Sequence, residues 1–517
     1  MTTEIRSSQD VSHQDKELVK GLGLTSATML VMGSMIGSGI FIVSAEIARE
    51  VDSPALLIGA WLVAGIMTII CALSYGELAA MMPRAGGQYV YLRESLGPLW
   101  GFLYGWTLFL VIQTGTIAAV AVAFGKFLGI FVPSISSSNW IIHFAKIPPI
   151  HLGPMVLGNM DVGLSTQNLV AVLMVVVLSV INIFGVKTGA LIQNVFTFAK
   201  VSALLGLVLL GLFIGRNAQA LAANFHGNFW HNAGLGAQHA VQVGVGGPIV
   251  MVGTLTILAV AQVGSLFSAD AWNNVTFTAG EVKNPSRDLP LSLAIGTGVV
   301  IALYIGCNFI YLNVLPLDGI KNGVTILERG IKYATEDRVA TAVLTQMFGA
   351  AGGVLMALAI MLSSFGCNNG MIIAGARVYY AMAKDGLFFR GVGKLHPTYK
   401  TPAVSLMVQM VWTCVLCVSG SYGQLLDYII FAVLVFYILT IIGLFVLRYK
   451  RPDAPRPYRA IGYPVLPAIY IVMALFIDVV LLVYKPQFTW PGLIIVLLGI
   501  PVYFAWSRRS EALARTS

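Results

Sequence analysis

Phe267-Ser268-Ala269-Asp270-Ala271-Trp272-Asn273-Asn274 places an acid and two amides inside a stretch that is otherwise apolar from about residue 250 to 279. A charged side chain at the middle of a bilayer costs at least about 2.5 kcal/mol, so such an acid has to face protein or water. The composition says that the surroundings are a membrane. Of 517 residues, 57% are hydrophobic and 10% are charged, against about 25% charged in an ordinary soluble domain. A soluble chain of this length would divide into several domains, each with a charged surface. Here there are too few charges to cover them. Five cysteines in such a length exclude a disulfide scaffold, and the lack of low-complexity repeats excludes collagen-like and disordered chains. The chain is therefore an all-α polytopic membrane protein, with the lipid bilayer as its solvent. The net charge of +9 lies mostly in short connections, where topology explains it and nucleic acid does not.

A helix needs about 20 apolar residues to cross a hydrocarbon core about 30 Å thick. Twelve windows meet that length: roughly 25–50, 54–82, 96–130, 167–186, 189–215, 250–279, 290–315, 350–383, 402–420, 424–447, 464–484 and 490–507. With the N-terminus in the cytoplasm, Lys and Arg favour cytoplasmic connections by more than two to one. Both termini are then expected inside, in the cell membrane. The polar tail, 1–24, lacks the short apolar core and cleavage site of a signal peptide. Two outer connections, 132–166 and 216–249, are long. In a third, 316–348, the stretches 326–333 and 340–348 read as short amphipathic helices over the mouth of the bundle.

The first window carries a second irregularity. Val31-Met32-Gly33-Ser34-Met35-Ile36-Gly37-Ser38-Gly39-Ile40-Phe41 has its glycines near mid-span. Gly33 and Gly37 make a pair at the spacing of close helix packing. Alternatively, Gly37-Ser38-Gly39 is an unwound segment, with the N–H groups and positive dipole end of a second half-helix aimed at the break. The sixth window favours the second reading. Windows one and six open two sets of five, and interrupted helices at corresponding positions are the sequence mark of an inverted-repeat transporter with a midplane site.

Four motifs carry a resemblance. They are Gly37-Ser38-Gly39-Ile40-Phe41; Ala72-Leu73-Ser74-Tyr75-Gly76-Glu77-Leu78 with Pro83, Gly86, Gly87, Tyr89 and Tyr91; Trp272-Asn273 with Gly280-Glu281-Val282-Lys283-Asn284-Pro285, Arg287 and Leu289-Pro290; and Ser363-Ser364-Phe365-Gly366 with Asn369-Gly370, Arg377, Asp385-Gly386-Leu387, His396-Pro397 and Thr401-Pro402. Arg456-Pro457-Tyr458-Arg459 also fits. Together they resemble the amino acid–polyamine–organocation superfamily, and within it bacterial permeases similar to the L-type amino acid transporters. The resemblance implies two inverted repeats of five helices, 25–215 and 250–447, joined by an extracellular loop, 216–249. Two peripheral helices at 448–508 and a cytoplasmic tail at 509–517 follow. It implies an amino acid substrate whose carboxylate meets Gly37, Ser38 and Gly39. The amino group then meets carbonyls near Met35, Phe267 and Asp270, beside Asn273. Phe267 falls where the family has an aromatic lid; without the resemblance it would read as core.

Lys200 sits mid-span in Phe196-Thr197-Phe198-Ala199-Lys200-Val201, too far from either end to snorkel. In the resembling family a lysine here stands where sodium-coupled relatives hold Na⁺. The resemblance thus implies a sodium-independent carrier, an exchanger or a proton-coupled permease, with Ser363 and Ser364 as the nearest oxygens. For Asp270 three roles stay open: capping an N–H such as that of Asn273, which ranks first; selecting basic or polar side chains; and carrying a proton.

Other signals are declined. Cys414-Val415-Leu416-Cys417 has redox spacing but lies within a span. None of the five cysteines falls in 132–166, where animal relatives carry the cysteine bonded to a partner glycoprotein, so no disulfide-linked subunit is expected. His226, His231 and His239 read as a solvated loop, not a metal site. No phosphate-binding Gly-x-x-x-x-Gly-Lys-Ser/Thr occurs, and no cofactor is expected. A polyamine or other organocation carrier of the same fold is the alternative. A channel or an intramembrane enzyme is the reading from another class. The enzyme would want intramembrane histidines, and all seven lie outside the spans.

Overall fold

A computed structural model describes residues 18–515, apart from 149, 153–154, 158–159, 245–246 and 420–421. Most of the tail expected at 1–24, and the last two residues of the tail at 509–517, lie outside the described residues. Ten helices are long and apolar enough to cross a membrane, and Thr254–Ser268 and Ala403–Val418 are apolar but shorter. These twelve coincide with the twelve windows and are numbered as spans 1 to 12. Span 1 is broken into Leu24–Met35, Gly39–Ile42 and Ser44–Val51. Span 6 is broken between Thr254–Ser268 and Asn274–Phe277. The others run Pro54–Met81, Pro98–Leu128, Thr166–Ile183, Val186–Phe213, Pro285–Val314, Val339–Lys384, Ala403–Ser419, Tyr422–Lys450, Val465–Tyr484 and Pro486–Arg515.

Span 5, Val186–Phe213, shows why these segments pack as they do. Leu191, Val195, Phe198, Leu205, Leu209 and Leu212 form an exposed apolar stripe, while Gln193, Thr197, Lys200, Leu204 and Leu207 are buried. In water that pattern would be inverted. In lipid the apolar face meets the hydrocarbon, and polar groups turn inward to find partners. Span 1 lies at the centre, packed against spans 5, 7 and 8, while spans 2 and 7 pack along each other.

Several boundaries differ from the sequence reading. Span 6 begins at Thr254, because Ile249–Gly253 is a strand, β6, paired antiparallel with β5, Gln238–Gln242. The 132–166 connection likewise holds strands β1, Trp140–Ile147, and β4, Met160–Ser165, with a small hairpin of β2, Ile150–Leu152, and β3, Met155–Leu157, between them. Apolar alternation in such short segments gives strand and loop similar signatures. The helix read at 326–333 is confined to Ile326–Arg329, closed by a Thr325–Glu328 capping box. The helix read at 340–348 is joined to span 8 across Gly349, whose φ of 64° bends the chain.

The two ends of the bundle are tied by ion pairs. On the side where span 1 begins, the buried Glu77 accepts from Arg448 Nε (2.9 Å) and Nη2 (2.6 Å), from Arg456 Nε (3.2 Å) and from the Ala460 N–H (2.7 Å). Arg377 on span 8 grips Glu281 through two bonds of 3.1 and 3.0 Å, and both side chains are almost fully buried. On the other side, Arg49 at the end of span 1 bonds Asp337 (2.6 Å), and Lys332 pairs with Asp52 and Asp318. The 316–348 connection therefore lies over the end of span 1.

Removing one partner of a buried, bidentate pair leaves the other charge uncompensated, at a cost of about 3–5 kcal/mol. Glu281→Ala should therefore lower the thermal unfolding midpoint of the purified protein clearly. The double change Glu281→Leu with Arg377→Met should recover part of that loss. A single variant as stable as the parent would mean that the pair does not fasten span 8 to span 6.

Candidate functional site

The helix of span 1 stops at Met35 because Ile36 leaves the helical region, with ψ of 87°. It resumes at Gly39. A backbone opened at membrane depth must find other partners, and side chains from three neighbouring spans supply them. Lys200 Nζ, fully buried, donates to Gly33 O (2.5 Å) and Ile36 O (2.8 Å), with Ser363 O at 3.4 Å. Ser363 Oγ donates to Ile36 O (3.0 Å) and Gly37 O (3.2 Å), and Cys367 Sγ lies 3.0 Å from Ser34 O. From span 7, Tyr304 donates to Met35 O (3.0 Å) and Tyr311 to Ile40 O (3.2 Å). Ser364 is buried one residue from Ser363, but its hydroxyl bonds to none of these carbonyls.

The glycines serve close packing as well as the break. A β-carbon on Gly33 would strike the Gln193 and Thr197 side chains, and one on Gly37 would sit 3.2 Å from Cys367 Sγ. A β-carbon on Gly39 would strike Ser268, in the first half of span 6. The two readings of this stretch are thus compatible: small residues let spans 5, 6 and 8 approach, and spans 5 and 8, with span 7, satisfy the opened backbone.

In span 6 the chain leaves the helix after Ser268 and passes through Ala271 at φ of 64° before Asn274. Asp270 bonds locally to the Ala271 N–H within the break, and its Oδ1 also accepts a 2.5 Å bond from Tyr437 on span 10. Asn273 Nδ2 donates to Gln88 Oε1 (2.9 Å), and Gln88 Nε2 donates to Thr440 Oγ1 (3.1 Å). Trp272 is buried, with its ring edge-on to Tyr75 at 4.8 Å and tilted against Tyr437 at 5.3 Å. Phe267 is buried at the end of the first half-helix.

A small cavity opens against this break, walled by Tyr104, Gln113, Asp270, Asn273, Met371 and Tyr437 among others. Of the candidate residues, Asp270 and Asn273 line it. Met35, Gly37, Ser38 and Gly39 do not; they lie in the break of span 1, and Met35 O already receives the Tyr304 hydroxyl. Tyr437, Gln88 and Thr440 were not singled out from the sequence. The available signal was a tyrosine and a threonine three residues apart in an apolar span, on one helical face, where a buried hydroxyl needs a partner.

The declined signals also have places. The five cysteines are free thiols within spans 2, 7, 8 and 9. Among the described residues, no three His, Cys, Asp or Glu side chains form a metal-sized group. His226 and His231 are exposed, but His239 is buried in β5 close to Asp52, contrary to the solvated-loop reading. Burial lowers its pKa from the usual histidine value, against the pull of Asp52.

Comparison with known proteins follows the same lines. The family profile described as amino acid permease matches residues 22–506. The serine/threonine exchanger SteT of Bacillus subtilis (strain 168) is 27% identical over 501 residues, 96% of this chain and 99% of that protein. The b(0,+)-type amino acid transporter 1 of Mus musculus is 26% identical over 515 residues, 98% of this chain and 93% of that protein. The large neutral amino acids transporter small subunit 2 of Homo sapiens is 26% identical over 487 residues, 94% of this chain and 80% of that protein.

The close approach of spans 1 and 6 at Gly39 can be tested on stability alone. Overpacking at such a contact costs about 1–3 kcal/mol. Gly39→Ala should lower the unfolding midpoint, and adding Ser268→Gly should restore much of it. An unchanged midpoint in Gly39→Ala would contradict the contact.

Proposed function

The chain belongs to the amino acid permease family, a family of membrane transporters, and on that premise we propose that it is a sodium-independent secondary carrier of amino acids. It works by alternating access, as an exchanger or a proton-coupled permease of the cell membrane. The observation that carries this reading is the Lys200 ammonium seated on the carbonyls of Gly33 and Ile36. A fixed cation on these oxygens repels a second one, and it uses the acceptors that a bound metal ion would need. Similarity to a serine/threonine exchanger supports the exchange mode.

Recognition follows from the two breaks. The first-turn N–H groups of a half-helix have no partner within it, and the helix dipole favours an anion there. Ser38 and Gly39 begin that turn in span 1, so the substrate carboxylate belongs beside them. The amino group belongs with carbonyls near Met35, Phe267 and Asp270. A carbonyl oxygen has two lone pairs, so Met35 O can serve Tyr304 and a substrate ammonium together. The side chain then extends towards Asp270 and Asn273 and the cavity beside them. Asp270 acts through Tyr437, fastening span 6 to span 10 while one carboxylate oxygen remains for a substrate or a proton. The excess of Lys and Arg supports cytoplasmic termini; an impermeant thiol reagent should then reach a cysteine placed at Asn217 from outside, and not one at Tyr399.

Proteoliposome uptake tests the reading. Labelled neutral amino acids should enter faster when the vesicles are preloaded with unlabelled ones, and replacing sodium by choline should change nothing. Lys200→Ala should cut uptake severely without creating a sodium requirement, because a sodium site also needs a full set of suitably placed oxygens. Wild-type uptake that rises steeply with external sodium would overturn the proposal.

A further inference from the structure

The polar side chains around the cavity beside Asp270 are engaged with one another, with one exception. Asn273 bonds Gln88 through Nδ2 (2.9 Å) and has Tyr104 as a second partner, and Gln88 Nε2 passes on to Thr440 (3.1 Å). Gln113 Nε2 donates to Met371 O (2.8 Å), and Thr116 Oγ1 to Ile112 O (2.6 Å). Asp270 accepts from Tyr437 and from the Ala271 N–H. Asn274 ends the break, is almost fully buried and lines the same cavity, yet its Nδ2 has no acceptor among the described residues. Buried polar groups are nearly always paired, so an orphaned amide beside a cavity calls for an explanation. The enclosed space that these residues share has room for about one water-sized group.

We propose that the Asn274 amide is a specificity-determining donor: it bonds the side-chain hydroxyl of a small hydroxyl-bearing amino acid, and that hydroxyl in turn donates to Asp270. The inference rests on the transport reading above and names the substrate class of that same site.

Size is the first reason. A space for one water-sized group admits a hydroxyl and is too small for a carboxamide, a guanidinium or a ring. The second reason is the pairing. A hydroxyl accepts as well as donates, an amide nitrogen only donates, and a carboxylate only accepts. The Asp270 carboxylate offers about four acceptor positions, of which Tyr437 and Ala271 use two. One hydroxyl therefore answers both groups. The third is the remaining wall, where Leu108, Ile112, Phe277 and Val433 are apolar and give a second polar group on the substrate nothing to bond. Water can hold the same position between substrates. A substrate hydroxyl that displaces it reproduces its bonds; a methyl group does not, and leaves Asn274 unpaired again. The site thus discriminates between side chains of equal size by their chemistry.

L-threonine and L-valine are the probes, because they carry a hydroxyl or a methyl at one position and are otherwise closely alike. Each competes with the uptake of labelled L-serine into proteoliposomes that hold the full-length protein. In the wild type L-threonine should inhibit at a concentration about tenfold below that of L-valine, the equivalent of one net hydrogen bond. Asn274→Leu, similar in size and without a donor, should bring that ratio close to one. Its thermal unfolding midpoint should equal or exceed that of the wild type, since an unpartnered buried amide has been removed; a purely structural asparagine would lower the midpoint and leave the ratio alone. Asn274→Ala is the second variant if Asn274→Leu does not fold. Equal inhibition by both amino acids in the wild type, or a tenfold preference kept in both variants, overturns the proposal. Uptake of L-alanine without uptake of L-serine also overturns it while leaving the transport reading in place. Uptake of no neutral amino acid at all would remove the transport reading, and this inference with it.

Discussion

Everything at the centre of this protein depends on how the opened backbone of span 1 is satisfied without water. Each unpaired peptide group in hydrocarbon costs several kcal/mol, and the stretch from Gly33 to Gly37 abandons several helical bonds. A single lysine answers much of this. The Lys200 ammonium has three protons and finds its acceptors among the carbonyls of Gly33, Ile36 and Ser363. The same contacts solve the lysine's own problem, since a buried cation needs oxygen partners to stand in for water. Neither the break nor the charge would be tolerable alone, and together they lock span 5 to spans 1 and 8.

The break in span 6 is supported differently. No cation reaches it among the bonds described. Neutral side chains of span 10 and of Gln88–Ser95, the helix before span 3, hold it: Tyr437 on Asp270, and Thr440 through Gln88 on Asn273. The two breaks are therefore clamped by different elements, span 1 by spans 5, 7 and 8 and span 6 by span 10 and the Gln88–Ser95 helix. Between them the half-helices touch at Gly39 and Ser268. A ligand that bonds to both breaks bridges two groups of helices with separate supports, which is the arrangement that a change in access across a membrane requires.

The fold was legible in the sequence because lipid imposes long apolar stretches, and because Gly37-Ser38-Gly39 and Asp270 are conspicuous inside them. Lys200 stood out for the same reason. What could not be read were partners distant in sequence. Tyr437 is 167 residues from Asp270, and an apolar span containing one tyrosine looks like any other. A local bond was the first reading for Asp270; the carboxylate makes one, to the Ala271 N–H, and a distant hydroxyl joins it. The hairpins of 140–165 and 238–253 were hidden because strands this short carry too few residues for a periodicity to stand out. His239 was misread because its burial comes from the end of span 1, not from its own loop.

The central claim is that the two opened segments recognise the amino and carboxylate groups of a free amino acid. Competition binding on the purified protein tests it most directly, with a labelled neutral amino acid against the same compound unmodified, as its methyl ester and as its N-acetyl derivative. The account predicts that the unmodified amino acid displaces the label and that both blocked forms fail, because each loses one of the two charges that the breaks receive. Displacement by the methyl ester as effective as by the free amino acid would contradict it.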